Sequence, residues 1–120
     1  MDTPAPATGN PVTQAKLWYW QRISAMLLTL CVAAHLGGMI YAVRGGLSAA
    51  EILGRTRGSI GFGVFYTVFV LACTVHVPIG LARICEEWLG WSNRQATLMA
   101  RLTALLILVT GLRAVYGVVA

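Results

Sequence analysis

The sequence predicts an all-α integral membrane protein with three transmembrane helices. Of its 120 residues, 58% are hydrophobic and 11% are charged, whereas a soluble domain carries about a quarter charged residues. Nine basic and four acidic side chains cannot cover a solvated surface of this size. The strict alternation of apolar and polar residues that marks a membrane β-barrel is absent. The composition therefore excludes an ordinary soluble enzyme and a disordered tail.

The first helix is predicted over residues 17–43. No formal charge lies between Arg22 and Arg44, and the run is as long as a membrane crossing, which takes roughly 20 residues. Trp18 lies at its start, where amphipathic rings favour the membrane–water interface.

The second helix is predicted over residues 60–86, in the uncharged run between Arg57 and Arg83. The third is predicted over residues 96–119, and its apolar run from residue 102 to 120 is interrupted by Arg113 alone. Both runs are long enough to span a bilayer.

Charges outside the spans favour a cytoplasmic N-terminus. Residues 1–15, rich in Pro, Ala and Thr, are predicted to form an extramembrane tail ahead of a transmembrane anchor domain at 16–120. The basic residues are scattered, so nucleic-acid binding is not predicted. Five of them fall on the N-terminal side of the membrane, namely Lys16, Arg22, Arg83, Arg94 and Arg101. Four fall towards the other side, namely Arg44, Arg55, Arg57 and Arg113. Basic residues are enriched on the cytoplasmic side.

The two histidines are the candidate ligands of a cofactor. His35 and His76 both lie inside predicted spans, where an ionisable residue is a functional hypothesis. A neutral imidazole at that depth can serve as an axial ligand of haem iron. The alternative is a histidine that hydrogen-bonds a neighbouring helix. No Asp or Glu lies in the interior of a span, which argues against a transporter.

Two arginines are candidate partners of haem propionates. Arg83 follows His76 by seven residues, on the same helix face and roughly 10 Å along the axis. Arg113 lies at about the depth of His35 in a span where Arg is costly. Each arginine also has an explanation without haem. Arg83 could be an ordinary charge at the membrane interface, and Arg113 could extend its side chain to the nearby interface.

The two histidines are predicted to lie at different depths. His35 lies about 25 Å and His76 about 14 Å from the N-terminal side, by the rise per residue of an α-helix. Two ligands of one iron must share a depth, and these differ by about 10 Å. The two histidines are therefore expected to bind different haems, each with its second ligand from another chain.

Two segments resemble the cytochrome b membrane-anchor subunit of succinate dehydrogenase and fumarate reductase, in particular its dihaem branch. The first is residues 20–25 (Trp-Gln-Arg-Ile-Ser-Ala), leading to His35. The second is residues 76–83 (His-Val-Pro-Ile-Gly-Leu-Ala-Arg), followed by two glutamates. The family reads His-Arg-x-Ser/Thr-Gly in the first segment and His-x-x-x-Gly in the second, where its histidine is a haem ligand.

The resemblance also implies part of a quinone site. Arg22 matches the family arginine there, and Ser24 matches the Ser/Thr position. Trp18 occupies a position where some members have a quinone-contacting Ser, Gln21 replaces a frequent His, and Ala25 replaces the Gly. Arg22 and Trp18 are one helical turn apart and can line one pocket. The alternative for Arg22 is an interfacial snorkelling side chain.

The function implied by the resemblance is electron transport linked to the tricarboxylic acid cycle. The chain would be a non-catalytic anchor subunit of an oxidoreductase in a bacterial cytoplasmic (inner) membrane. It would bind one or two haems b shared with a second membrane anchor, and would use quinone as substrate. FAD and iron–sulfur clusters would lie on the flavoprotein and iron–sulfur subunits. The alternatives are an anchor cytochrome of another quinone-linked dehydrogenase and a haem-free structural or assembly protein of three helices.

Overall fold

Four α-helices make up the part of the chain that a computed structural model describes, residues 10–120. They are α1 (Pro11–Gly45), α2 (Ala49–Thr56), α3 (Ile60–Leu89) and α4 (Asn93–Val119). Three of them, α1, α3 and α4, are long and apolar enough to cross a membrane. The predicted all-α membrane fold with three spans is therefore confirmed.

Helix α1 begins at Pro11, ahead of the predicted start at residue 17. Its N-cap is Asn10, whose side-chain oxygen accepts a hydrogen bond from the Val12 backbone N–H at 3.0 Å. Proline suits the first helical turn because its missing N–H would have no intrahelical partner there. Part of the predicted tail at 1–15 is thus helical, and residues 1–9 lie outside the described residues.

The short helix α2 was not predicted. Ser48 and Glu51 form a capping box, in which the Glu51 N–H donates to Ser48 Oγ at 3.2 Å and the Ser48 N–H donates to Glu51 Oε2 at 3.0 Å. These bonds satisfy two backbone donors that a helix N-terminus leaves free. The Ser-x-x-Glu spacing was the sequence signal that could have revealed this helix.

The last residue of α2 and the turn that follows it hydrogen-bond the end of α4. The Thr56 hydroxyl donates to the Val118 carbonyl oxygen at 2.6 Å, and the Gly58 N–H donates to the Val119 carbonyl oxygen at 2.7 Å. The last carbonyls of a helix have no intrahelical partner. The α2–α3 connection supplies partners for two of them.

Helix α3 is the centre of the bundle, since it packs along both α1 and α4. The α3–α4 contact is close at Gly111, where an added Cβ would lie 2.6 Å from a methyl of Val70. The bundle is elongated, with extents of 61 × 24 × 23 Å, and most of its large apolar side chains are exposed. Lipid or partner helices are the environments that such a surface requires.

Candidate functional site

His76 on α3 faces Ser24 on α1. The two side chains approach to 3.4 Å between His76 Nδ1 and Ser24 Oγ, and Ser24 is buried. The Ser24 hydroxyl donates to the Gln21 carbonyl oxygen at 3.1 Å, so its oxygen is left to accept from a protonated Nδ1. That tautomer leaves the lone pair of Nε2 free, which is the form in which a histidine ligates a metal.

His35 on α1 is held in the same way by a hydroxyl of α3. Its Nδ1 lies 3.4 Å from Tyr66 Oη, and its ring meets the rings of Tyr66 and Phe69 edge to face, at centroid distances of 5.9 and 6.0 Å. His35 also borders a cavity of about 400 Å³ that extends to Gly111 and Val115 of α4. Tyr66 was missed by the sequence reasoning, because nothing in its spacing marks it as a partner of His35.

The two histidines lie well apart along the α1–α3 pair. His76 is level with Ser24 and His35 is level with Tyr66. Tyr66 and His76 are ten residues apart on α3, which is about 15 Å along a helix axis. The offset exceeds the 10 Å or so expected from the sequence. Within this chain, therefore, the two rings do not face a common point.

A cavity of about 430 Å³ opens between the N-terminal part of α1 and the C-terminal part of α3. Trp18, Arg22 and Arg83 all border it. The Arg22 guanidinium lies over the Trp18 ring, 5.0 Å from its centroid, and an Arg83 guanidinium N–H donates to the side-chain oxygen of Gln14. The structure thus brings together three residues that the sequence assigned to two different roles.

Ser24 and Arg113 lie outside this cavity. Ser24 is directed to His76, as described above. Arg113 is at the level of Phe69, because Gly111 of the same helix packs on Val70, and its depth matches that of His35 as expected. Its side chain is exposed and is on the face of α4 opposite Gly111 and Val115, by the angular period of a helix. The structure does not bring Arg113 and His35 into one cavity.

The two histidines and their hydroxyl partners suit the axial ligation of haem. Residues 10–120 contain no group of three or more His, Cys, Asp or Glu side chains that could hold a metal ion. Haem iron needs fewer protein ligands, since the macrocycle supplies four ligands and the protein supplies only one or two axial ones. In both His35 and His76, Nδ1 has a hydroxyl within reach. The remaining nitrogen of each ring is the available axial ligand.

The fold and these polar groups define a multi-pass membrane protein in which both histidines meet hydroxyl groups between α1 and α3. A family model described as the succinate dehydrogenase/fumarate reductase transmembrane subunit matches residues 3–118. The chain belongs to this family, so the resemblance to its membrane-anchor subunit is confirmed. No curated protein and no solved structure matches the chain significantly.

Proposed function

We propose that this membrane subunit of succinate dehydrogenase/fumarate reductase is a cytochrome b anchor. It binds haem b through His76 and His35 and passes electrons between the iron–sulfur subunit and the quinone pool. The observation that carries the proposal is the matched pair of histidine environments. Each Nδ1 lies 3.4 Å from a hydroxyl of the neighbouring span, and each Nε2 is left for iron.

The 15 Å or so between the two histidine levels supports two haems rather than one. A second membrane anchor, either a different chain or a second copy, supplies the other axial ligand of each. Bound haem contributes a one-electron carrier at each level. Arg83 on the N-terminal side is the candidate charge partner of a haem propionate. Arg113 is at the level of His35 but on the face of α4 opposite Gly111 and Val115, which argues against the same role for it.

The cavity with Trp18 and Arg22 is the proposed quinone site. Its aromatic wall can stack on a quinone ring, and the Arg22 guanidinium can donate to a quinone oxygen. The flavoprotein and iron–sulfur subunits, which hold FAD and the clusters, dock on this N-terminal side. The membrane is a bacterial cytoplasmic membrane with the N-terminus inside. The anchor takes no part in the chemistry of succinate or fumarate.

The haem assignment is tested by reduced-minus-oxidised spectra of the purified complex. His76→Leu removes one haem signal and His35→Leu removes the other, because each variant loses an axial nitrogen. Val77→Leu and Leu36→Ile, which change apolar neighbours of the two histidines, retain both signals. A spectrum without any b-type haem band in the unmodified complex contradicts the proposal.

The quinone assignment is tested by Arg22→Leu. Electron transfer from succinate to a quinone falls at least about tenfold, because a charge-assisted hydrogen bond contributes about 1.5–3 kcal/mol. Electron transfer from succinate to a soluble dye that accepts electrons from the flavoprotein or iron–sulfur subunit is unchanged. Arg94→Leu, which removes a charge on the same side outside the cavity, leaves both rates unchanged. Equal rates in the two variants contradict the assignment.

A haem-free structural subunit is the second candidate, and the same histidine contacts favour it. The contacts of His35 with Tyr66 and of His76 with Ser24 join α1 to α3, as interhelical hydrogen bonds in membranes do. If the histidines are only structural, a complex destabilised by His76→Leu regains its full stability in His76→Gln, because glutamine keeps a hydrogen-bonding side chain. A haem ligand cannot be replaced by glutamine without loss of the signal.

A further inference from the structure

The Gln21 side chain is the unexplained polar group of the N-terminal cavity. Its amide oxygen Oε1 is buried and has no hydrogen-bond partner, and it is the one such side-chain atom found among residues 10–120. Gln21 borders the cavity beside Trp18 and Arg22. A buried acceptor without a partner costs about 1–3 kcal/mol, so a ligand that brings a donor to this oxygen gains binding energy.

The amide is placed at the cavity wall by Gly80 of α3. A Cβ added at Gly80 would lie 3.1 Å from Gln21 Nε2, so the absence of a side chain there leaves space for the amide. The last torsion of a glutamine side chain has a broad energy profile. Rotation about this bond can bring Oε1 to the cavity that Gln21 borders.

The two arginines that border the cavity are hydrogen-bond donors, so acceptors must come from other residues. Arg22 and Arg83 offer only N–H donors, which suit the oxygens of a quinone. A quinol carries two O–H donors in addition, and these require acceptors. Gln21 Oε1 is buried, whereas the carboxylate of Glu87, which also borders the cavity, is on an exposed residue.

We propose that Gln21 is a quinol-selective contact, with Oε1 accepting a hydrogen bond from a quinol hydroxyl. The inference rests on the proposed quinone site and adds the residue that distinguishes the reduced from the oxidised ligand. An oxidised quinone presents no O–H to Gln21 Oε1, and the amide N–H donors that its carbonyl oxygens could use lie beside Gly80 of α3. The structure thus assigns Arg22 to both forms of the ligand and Gln21 to the reduced form.

The test uses the purified complex with decylubiquinone and dimethylnaphthoquinone, each with its quinol. The KM of the quinone is measured with succinate as donor, and the quinol is measured as substrate or as product inhibitor. Gln21→Met, which keeps the length of the side chain and removes the oxygen, weakens quinol binding about three- to tenfold. It changes the KM of the quinone less than about twofold, on the same scale.

Gln21→Glu, which retains an acceptor at both terminal atoms, keeps quinol binding at least as tight relative to quinone as in the unmodified complex. The inference is overturned if Gln21→Met weakens the binding of quinone and quinol equally. It is also overturned if Glu87→Gln, and not Gln21→Met, selectively weakens the binding of quinol. The haem spectrum of each variant reports whether the complex is assembled.

Arg22→Leu separates this inference from the proposed function. Where Arg22→Leu leaves quinone reduction intact, the ligand does not bind in this cavity and the proposed quinone site fails. Where Arg22→Leu impairs quinone reduction but Gln21→Met has no effect on the quinol, the quinone site stands and the role of Gln21 fails.

Discussion

Gly111→Ala tests how closely α3 and α4 pack beside His35. The added Cβ would lie 2.6 and 2.9 Å from the two methyls of Val70 and 3.3 Å from its Cβ. Non-bonded carbons prefer separations of about 3.5–4.0 Å. The valine is β-branched and strongly prefers one side-chain rotamer in a helix, so the helices themselves must move apart.

The cost of this overpacking is about 1–3 kcal/mol. Alanine also favours a helix over glycine, by about 0.8–1.0 kcal/mol in water, and that gain must be separated from the cost. Gly117→Ala is the matched control on the same helix, because an added Cβ there meets nothing within 4 Å. The stability difference between the two variants, in which the helix preference cancels, is expected to be about 1–3 kcal/mol.

The assay is unfolding of the purified complex in mixed detergent, followed by circular dichroism. Gly111→Ala is expected to be less stable than Gly117→Ala. Val70→Ala combined with Gly111→Ala recovers part of the loss, since the double substitution removes the methyls that the new Cβ meets. Equal stability of the two glycine variants would refute the close approach of α3 and α4.

The remaining predictions concern local contacts. Ser24→Ala is expected to retain the haem proposed at His76 but to shift its midpoint potential, because the hydroxyl that lies beside the imidazole is lost; a redox titration measures the shift. Thr56→Val leaves the Val118 carbonyl unpaired and costs about 1–3 kcal/mol, which hydrogen exchange detects as faster opening of the last turn of α4. The pKa of Glu51 lies below its usual 4.5, chiefly because its side chain bonds the N-cap serine. Its contribution to α2 is therefore present above the unfolded pKa and is lost as the pH falls through the lower folded pKa, so exchange of α2 amides speeds up in that acidic range.

The three spans were predictable because length and apolarity alone decide them. The runs bounded by Arg22, Arg44, Arg57 and Arg83 are too apolar for a solvated surface and as long as a bilayer is thick. The ends were less predictable, since the Asn10 cap and the first-turn proline extend α1 beyond its apolar run. Helix α2 has only 8 residues, so a search for apolar runs of about 20 residues does not detect it.

The sequence predicted that His35 and His76 lie at different depths, because the rise per residue fixes position along a helix axis, but it underestimated the offset by about 5 Å. It did not place the side chains around them. The pairing of His76 with Ser24 and of His35 with Tyr66 depends on the rotation and register of α1 against α3. These are set by packing between helices rather than by either helix alone.

The chemistry of the N-terminal cavity was predictable only in part. Trp18 and Arg22 are one turn apart on one helix, so their proximity follows from the sequence. Arg83 was assigned to a haem propionate from its distance to His76, and the structure puts it across the same cavity from Arg22. The unpartnered oxygen of Gln21 is a property of the packed helices that no sequence pattern reveals.

The number of haems per flavin in the purified complex tests the central claim most directly. Two histidines about 15 Å apart along the helix axes predict two haems b for each flavin, measured by the pyridine haemochrome assay against extracted flavin. One haem per flavin would contradict the assignment of both histidines as ligands, and no haem would contradict the cytochrome itself.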